Sequence, residues 1–324
     1  MKSIDYSVVI RTVGKASEKY NKLLESIRKL NPQPKEVIVV LPIGYSLPQQ
    51  RLGWERFVFS EKGMVKQRLY GMNTCNSSFA LFCDDDVEFK PDFVEKLYNA
   101  LQKSDCAFVA GPLYDFLPRR GLHTLIDMLS GSASPTVFHK SNYCTVLNTS
   151  GYSFNRNLKD NKLYYSQSLP WTCFFANTQK MRMVGMEDEL LWLDKHDYGA
   201  MDDLTMFYKA YLLGQKTCVV PTATYIHNDA RTSSRGKSDI VTYALIFNRI
   251  VFWHRFLYNK KKSVFSKSWS AFCIRYNLVA RLLFCKIKDL KSKNHTKTYI
   301  YAKKGYNDAF RYIKGKEYKE LPPF

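Results

Sequence analysis

The stretch Phe79–Glu88, FALFCDDDVE, constrains this chain more than any other. Phe79-Ala80-Leu81-Phe82-Cys83 is short, aromatic and uncharged, as expected of a strand buried on both faces of a sheet. It runs directly into Asp84-Asp85-Asp86. Adjacent carboxylates repel and raise each other's pKa unless a cation neutralises them. In open α/β sheets ligands bind at the carboxyl ends of strands. Hard divalent cations prefer carboxylate oxygens and are often shared with substrate phosphates. The stretch therefore points to a Mg²⁺ or Mn²⁺ site that holds a nucleotide diphosphate. The plainer reading is a solvated acidic turn, or a helix N-cap ahead of Pro91.

The chain before and after supplies a sheet for that strand. Ser7–Val13 is a β-branched run that ends in Arg11-Thr12 and Gly14. Ala16–Leu30 carries Tyr20, Leu23, Leu24, Ile27 and Leu30 at helical spacing. Glu36–Leu41 and Arg56–Phe59 read as strands, Val65–Cys75 as a helix. Pro91–Ser104 reads as a helix opened by Pro91, and Cys106–Ala110 as another strand. Such alternation predicts an α/β fold, a mostly parallel sheet flanked by helices. No GxGxxG follows the first strand, so the dinucleotide fingerprint is absent.

Pro112–Met181 is less regular and reads as short antiparallel strands and loops. Met201–Leu213 reads as a helix opening on Asp202-Asp203, and Lys216–Pro221 and Ala223–His227 as short strands. Asp229–Asp239, with Arg231, Arg235 and Lys237, reads as a loop. From about Ile240 the chain reads as helical and basic. The division expected is a catalytic domain over 1–230 and a helical extension over 231–324.

Composition narrows the partners. The net charge of +20, from 49 basic and 29 acidic residues, suits nucleic acid, an anionic membrane or a phosphorylated substrate. The eight cysteines show no CxxC spacing, and they read as core residues in a reducing compartment rather than a disulfide framework. The N-terminus shows no secretory pattern, and no charge-free stretch approaches the roughly 18 residues of a membrane span. A cytoplasmic location is the expectation.

In order and spacing, the motifs together resemble a family 2 glycosyltransferase with the GT-A fold. SVVIRTVGK and PKEVIVV resemble its nucleotide-binding half, and Gly63–Gly71 its glycine- and arginine-bearing helix. Cys83-Asp84-Asp85-Asp86 resembles the DxD motif, and Arg182–Glu189 the segment ahead of the acceptor site. Met201-Asp202-Asp203-Leu204 resembles the acidic pair that bears the catalytic base, and Ala223–His227 the strand that delivers a late His. Tyr243–Arg249 and Lys304–Phe310 resemble helices of bacterial surface-polysaccharide, rhamnosyltransferase-like members. Leu41-Pro42-Ile43-Gly44 stands where the family usually has an Asp that contacts the base.

The resemblance implies a metal-dependent, inverting transfer from a nucleotide sugar to a glycan or lipid-linked glycan. It implies Asp86, Asp84 and His227 at a Mn²⁺ or Mg²⁺ ion, and Arg11, Thr12, Arg68, Asp84 and Asp85 around the nucleotide sugar. Asp203, with Asp202 beside it, is the expected base. Glu187, Asp188 and Trp171 are the expected acceptor contacts. The bland readings are a helix cap for Asp202-Asp203, a structural hydrogen bonder for His227 and core packing for Trp171. Over Val264–Leu290, Phe265, Trp269, Phe272, Tyr276, Val279, Leu283 and Leu290 share one helical face, with basic residues mostly opposite. That face suits an anionic membrane surface, or packing on the catalytic domain. A nucleotidyltransferase or phosphohydrolase would leave the second acidic pair and the late His unexplained. No nucleic-acid-binding signature is present, so nucleic acid is not an expected partner.

Overall fold

The computed structural model describes residues 4–136, 140–196, 198–229, 238–292 and 297–324. Residues 230–237, most of the expected loop with Arg231, Arg235 and Lys237, lie outside them.

The first half builds the sheet. Strands β1 (Tyr6–Arg11), β2 (Glu36–Pro42), β3 (Arg56–Ser60) and β4 (Phe79–Asp84) lie parallel in the order β3-β2-β1-β4. Their connections are helices α1 (Glu18–Arg28) and α2 (Met64–Thr74). After β4 come a short strand β5 (Val87–Phe89), helix α3 (Phe93–Lys103) and strand β6 (Cys106–Ala110). Side-chain alternation along β1 divides two cores. Tyr6, Val8 and Ile10 face the layer that holds Leu23, Leu24 and Ile27 of α1 and Val94 and Leu97 of α3. Val9 faces the opposite layer, with Leu69 and Met72 of α2.

The expectation for Pro112–Met181 holds in outline. Helix α4 (Leu122–Leu129) appears where only strands and loops were expected. It is followed by β7 (Ala133–Pro135), β8 (Asn142–Val146), β9 (Tyr152–Phe154), β10 (Tyr164–Ser166) and β11 (Cys173–Asn177). β11 inserts antiparallel between β4 and β6. Short helices α5 (Thr178–Arg182) and α6 (Leu190–Leu193) lead to α7 (Asp202–Leu212), β12 (Lys216–Val219) and β13 (Tyr225–His227). β12 extends the sheet beyond β6, and β10, β8, β9 and β7 complete eleven strands.

Cys106 and Cys218, on neighbouring strands with Cα atoms 6.2 Å apart, form a disulfide. This corrects the expectation of eight unpaired thiols. Pairing of β6 with β12 brings residues far apart in sequence side by side. The other six cysteines are free, and four of them are buried.

The tail is helical as expected: α8 (Ser238–Phe252) running into a wider turn over Trp253–Tyr258, then α9 (Val264–Lys291), α10 (Thr298–Tyr312) and α11 (Lys316–Lys319). Ile246, Phe247 and Ile250 of α8 and Ala302 and Ala309 of α10 join the same apolar core as α2 and α7. α9 is built the other way round. Ser270, Ile274, Asn277 and Leu278 are its buried residues, while Phe265 is 83% and Trp269 53% exposed. The stripe of Phe265, Trp269 and Phe272, on which both readings of α9 rest, is exposed, and the helix packs instead through Ser270, Ile274, Asn277 and Leu278. Among the described residues, no helix is long and apolar enough to cross a membrane.

Candidate active site

Strand register makes the first half of the site. Arg11 pairs with Asp84 across β1 and β4, at the carboxyl ends of both strands. The Arg11 Nε accordingly donates to Asp84 Oδ1 at 3.0 Å. Arg68, on the buried side of α2, donates from Nη2 to the same carboxylate at 2.9 Å and from Nη1 to Asp202 Oδ2 at 2.8 Å. One guanidinium thus bridges the two acidic clusters, which are far apart in sequence. Burial would raise the Asp84 pKa, but Arg11 and Arg68 hold it below the usual carboxylate value.

α2 is held at a fixed depth. Gly71 packs so closely on the sheet that a Cβ there would lie 2.4 Å from Val9 Cγ1. At its amino end, Asp194 Oδ2 accepts from the amides of Val65 and Lys66 at 3.0 and 2.9 Å. This remote carboxylate does the work of a missing N-cap side chain. A Cβ at Gly63 would lie 2.6 Å from the same oxygen.

The remaining aspartates diverge. Thr12 Oγ1 donates to Asp85 Oδ2 at 2.5 Å. Burial, with Asp86 and Asp84 beside it, raises the Asp85 pKa to about 6 even though Arg11 and Thr12 oppose the shift. Asp86 lies 3.4 Å from His227 Nε2, because β13 pairs with β5 in a register that sets His227 against Val87. Burial would lower the His227 pKa, but the hydrogen bond and charge of Asp86 raise it.

At the amino end of α7 the acidic pair divides its tasks. Asp202 is buried, pairs with Arg68 and accepts from the Asp203 amide at 2.9 Å through Oδ1. Asp203 is half-buried, accepts from the Trp171 amide at 2.6 Å, and lines a cavity of about 710 Å³. His227, Thr172, Asp229, Arg119, Arg120 and Arg156 also line it. Burial and neighbouring Asp202 push the Asp203 carboxyl well above its ordinary pKa.

Arg11, Thr12, Arg68, Asp84, Asp85, Asp86, Asp202, Asp203 and His227 are therefore brought to one end of the sheet. Three expected acceptor contacts are not. Trp171 is 1% exposed, packed between the Arg68 guanidinium at 5.0 Å and the rings of Phe174 and Phe207. Its ring cannot stack on a sugar there; the ring backs Arg68, and the backbone amide holds Asp203. Glu187 is exposed on a single turn, and Asp188 points to Lys209 at 3.5 Å; neither lines the cavity. The next residue, Glu189, is fully buried, with Lys209 at 2.8 Å, Arg255 at 2.7 Å and Trp192 Nε1 at 2.8 Å. That segment is structural.

Asp84 is fully engaged by two arginines. Asp86 and His227 are adjacent donors of the hard oxygen and imidazole kind, 3.4 Å apart. Among the described residues, no group of three or more His, Cys, Asp or Glu forms a metal cage. Two protein donors fit a cation that takes its other ligands from phosphate oxygens and water.

Sequence reading missed Asp194 and the cavity arginines. Arg119-Arg120 stands out as a basic pair after Pro118, but nothing in one dimension carries it to Asp203.

Residues 47–170 match a family model described as glycosyl transferase family 2. No curated protein sequence matches the chain. Among solved structures, the fold is similar to that of GalNAc-T7 with UDP, GalNAc and Mn²⁺, with TM-score 0.55 and 10% identity. That match covers 99% of this chain and 58% of the other, so the chain spans less than two thirds of that relative. It is also similar to S. aureus TarS 1-349 in complex with UDP-GlcNAc, with TM-score 0.53, 14% identity and coverage of 94% and 81%. At these identities the likeness is one of fold, the mixed α/β arrangement of GT-A glycosyltransferases.

Proposed function

We propose, on the footing that residues 47–170 belong to glycosyltransferase family 2, that the chain moves a sugar from a nucleotide-sugar donor to an acceptor hydroxyl, with inversion. The carrying observation is that both acidic clusters meet on Arg68 beside one cavity. Direct displacement needs a base on the acceptor side and no enzyme nucleophile. Asp203 lines the cavity, and its raised pKa makes it a stronger base once ionised. Asp202 orients α7 through Arg68 and leaves the proton to its neighbour.

On the donor side, Asp86 and His227 would hold Mn²⁺ or Mg²⁺, which when bound offsets charge growing on the leaving diphosphate. Arg11 and Arg68 neutralise Asp84, which leaves less negative charge for phosphate to meet at the strand ends. Thr12 and Asp85 lie beside them.

The acceptor reading extends to lipid-linked glycans on an anionic membrane surface. A smaller cavity, which shares Arg120 and Arg156 with the main one, is walled by Leu125 and Met128 of α4. Leu122, Leu125 and Leu129 of α4 are exposed, and Tyr276 and Asn277 of α9 bond to the carbonyls of Leu129 and Ser130. The two helices thus present neighbouring apolar surface. Nine basic residues and one acid, Asp289, lie in 260–291. Two such helices brought face to face would repel, whereas anionic lipid complements both charge and apolar face.

The test begins with donor binding. Asp86→Ala should abolish Mn²⁺-dependent affinity for a nucleoside diphosphate in calorimetry, with circular dichroism unchanged. Unchanged affinity would remove the metal assignment. Release of inorganic phosphate or pyrophosphate from nucleotide sugars, in place of nucleoside diphosphate, would overturn the transfer itself.

A further inference from the structure

α8 and α9 each carry an arginine to the wall of a second chamber of about 380 Å³. It adjoins the main cavity and shares Phe116 and Arg119 with it. Arg249 is 6% exposed. Its Nη1 donates to Thr149 O at 3.3 Å and Asn277 Oδ1 at 3.2 Å, and its buried Nε has no acceptor. Arg281 donates from Nη2 to Ser132 Oγ at 3.1 Å, and its Nε is also buried without an acceptor. Asp127 of α4 and Asp115 line the chamber too; neither forms an ion pair with the two arginines, although the Asp127 charge acts on both.

This departs from the rest of the molecule. Four arginines are buried among the described residues. Arg11, Arg68 and Arg255 each hold a carboxylate within 3.0 Å; Arg249 does not. A buried charge without a direct ion pair is costly; here Asp127 offsets it without pairing, and a second guanidinium stands near it. Burial first, and then Arg281, press against the protonated form of Arg249, and Tyr152 and Asp127 oppose them only in part. A guanidinium keeps its proton in proteins, so the cost falls on the fold unless an anion enters. Planar forks with unused N–H groups match phosphate oxygens in geometry as well as charge.

We propose that Arg249 and Arg281 form a subsite for a phosphoryl group, a phosphate or pyrophosphate ester. Its assignment to the acceptor rests on the transfer reading, since the chamber adjoins the cavity that Asp203 lines; the anion site itself does not. An acceptor hydroxyl at Asp203 and its own phosphoryl group at Arg249 and Arg281 would fix the acceptor at two points.

The test titrates inorganic pyrophosphate into the full chain by calorimetry, in EDTA so that metal-dependent diphosphate binding is silent. Wild type should bind, and Arg281→Gln should bind roughly 10- to 100-fold more weakly, the worth of one charged contact. Mn²⁺-dependent affinity for nucleoside diphosphate should be unchanged in that variant. Arg249→Lys should also weaken pyrophosphate binding. If that buried change prevents folding, Arg281→Gln at its half-buried position decides alone. Equal pyrophosphate affinity in wild type and Arg281→Gln overturns the subsite, as does displacement of pyrophosphate by nucleoside diphosphate without metal. Arg281-dependent binding to vesicles of phosphatidic acid, but not phosphatidylcholine, would assign the phosphoryl group to a lipid. Arg281-dependent binding confined to soluble phosphate would assign it to a soluble ester. Both support the subsite. Arg281-dependent pyrophosphate binding in a chain that transfers no sugar would retain the subsite and refute the transfer.

Discussion

Residue by residue, the aspartates are not interchangeable, and only the structure separates them. Sequence placed Asp84, Asp85 and Asp86 at a strand end, because an uncharged apolar run aims them there. It could not tell which would be neutralised by protein. Arg11 is paired with Asp84 by strand register, and Arg68 arrives from a helix, so Asp84 is engaged while Asp86 faces His227. The acidic pair at α7 is similar: Asp202 holds Arg68, and Asp203 lines the cavity. Because the Asp203 pKa is raised in the folded protein, its basic form appears only as pH climbs through that raised value. Turnover should therefore rise with pH across that range and level off above it. Asp203→Asn should lose this limb of the profile and lower turnover by roughly 10²–10⁴-fold. Donor affinity should hold. A variant with near-normal turnover and an unaltered pH profile would take the base away from Asp203.

For the elements, periodicity was a reliable guide wherever a face is buried. β1, α1, β4 and α3 all follow it, since the same alternation that marks them in sequence divides the two cores. α4 shows where it was passed over. Leu122, Leu125, Ile126 and Leu129 have helical spacing, yet the segment sits among polar loops and leaves those side chains outside. α9 shows a different limit. Its apolar stripe was plain, but sequence could not say whether the stripe faced inward. Ser270 and Asn277 settle this by bonding to Trp253, Arg249 and the turn after α4. The intact protein should co-sediment with anionic vesicles, weakly with neutral ones, and less as salt screens the lysines. Trp269→Glu together with Phe272→Glu should reduce that binding while leaving donor affinity alone. Absence from both pellets would show that this face serves something other than lipid.

Seen whole, the tail and the catalytic portion are one packed body. Asn248 of α8 is fully buried, and its Nδ2 donates to Leu193 O at 3.3 Å and Ala200 O at 2.7 Å. Those carbonyls flank the segment that holds Asp194 against α2 and leads into Met201 and α7. Asn248→Ala should cost about 1–3 kcal/mol in urea unfolding, because it leaves two buried carbonyls without a donor. Turnover should fall as well, with donor binding largely retained. A stable variant with full activity would show that the segment is held by other means. No spacing rule links position 248 to position 203, which is why this dependence was illegible beforehand. The consequence concerns modularity. A tail grafted from a related chain would have to bring its own counterparts of Asn248 and of Arg255, the partner of Glu189. Without them, exchanging what looks like an appendage would loosen the segment that seats α7 and Asp203.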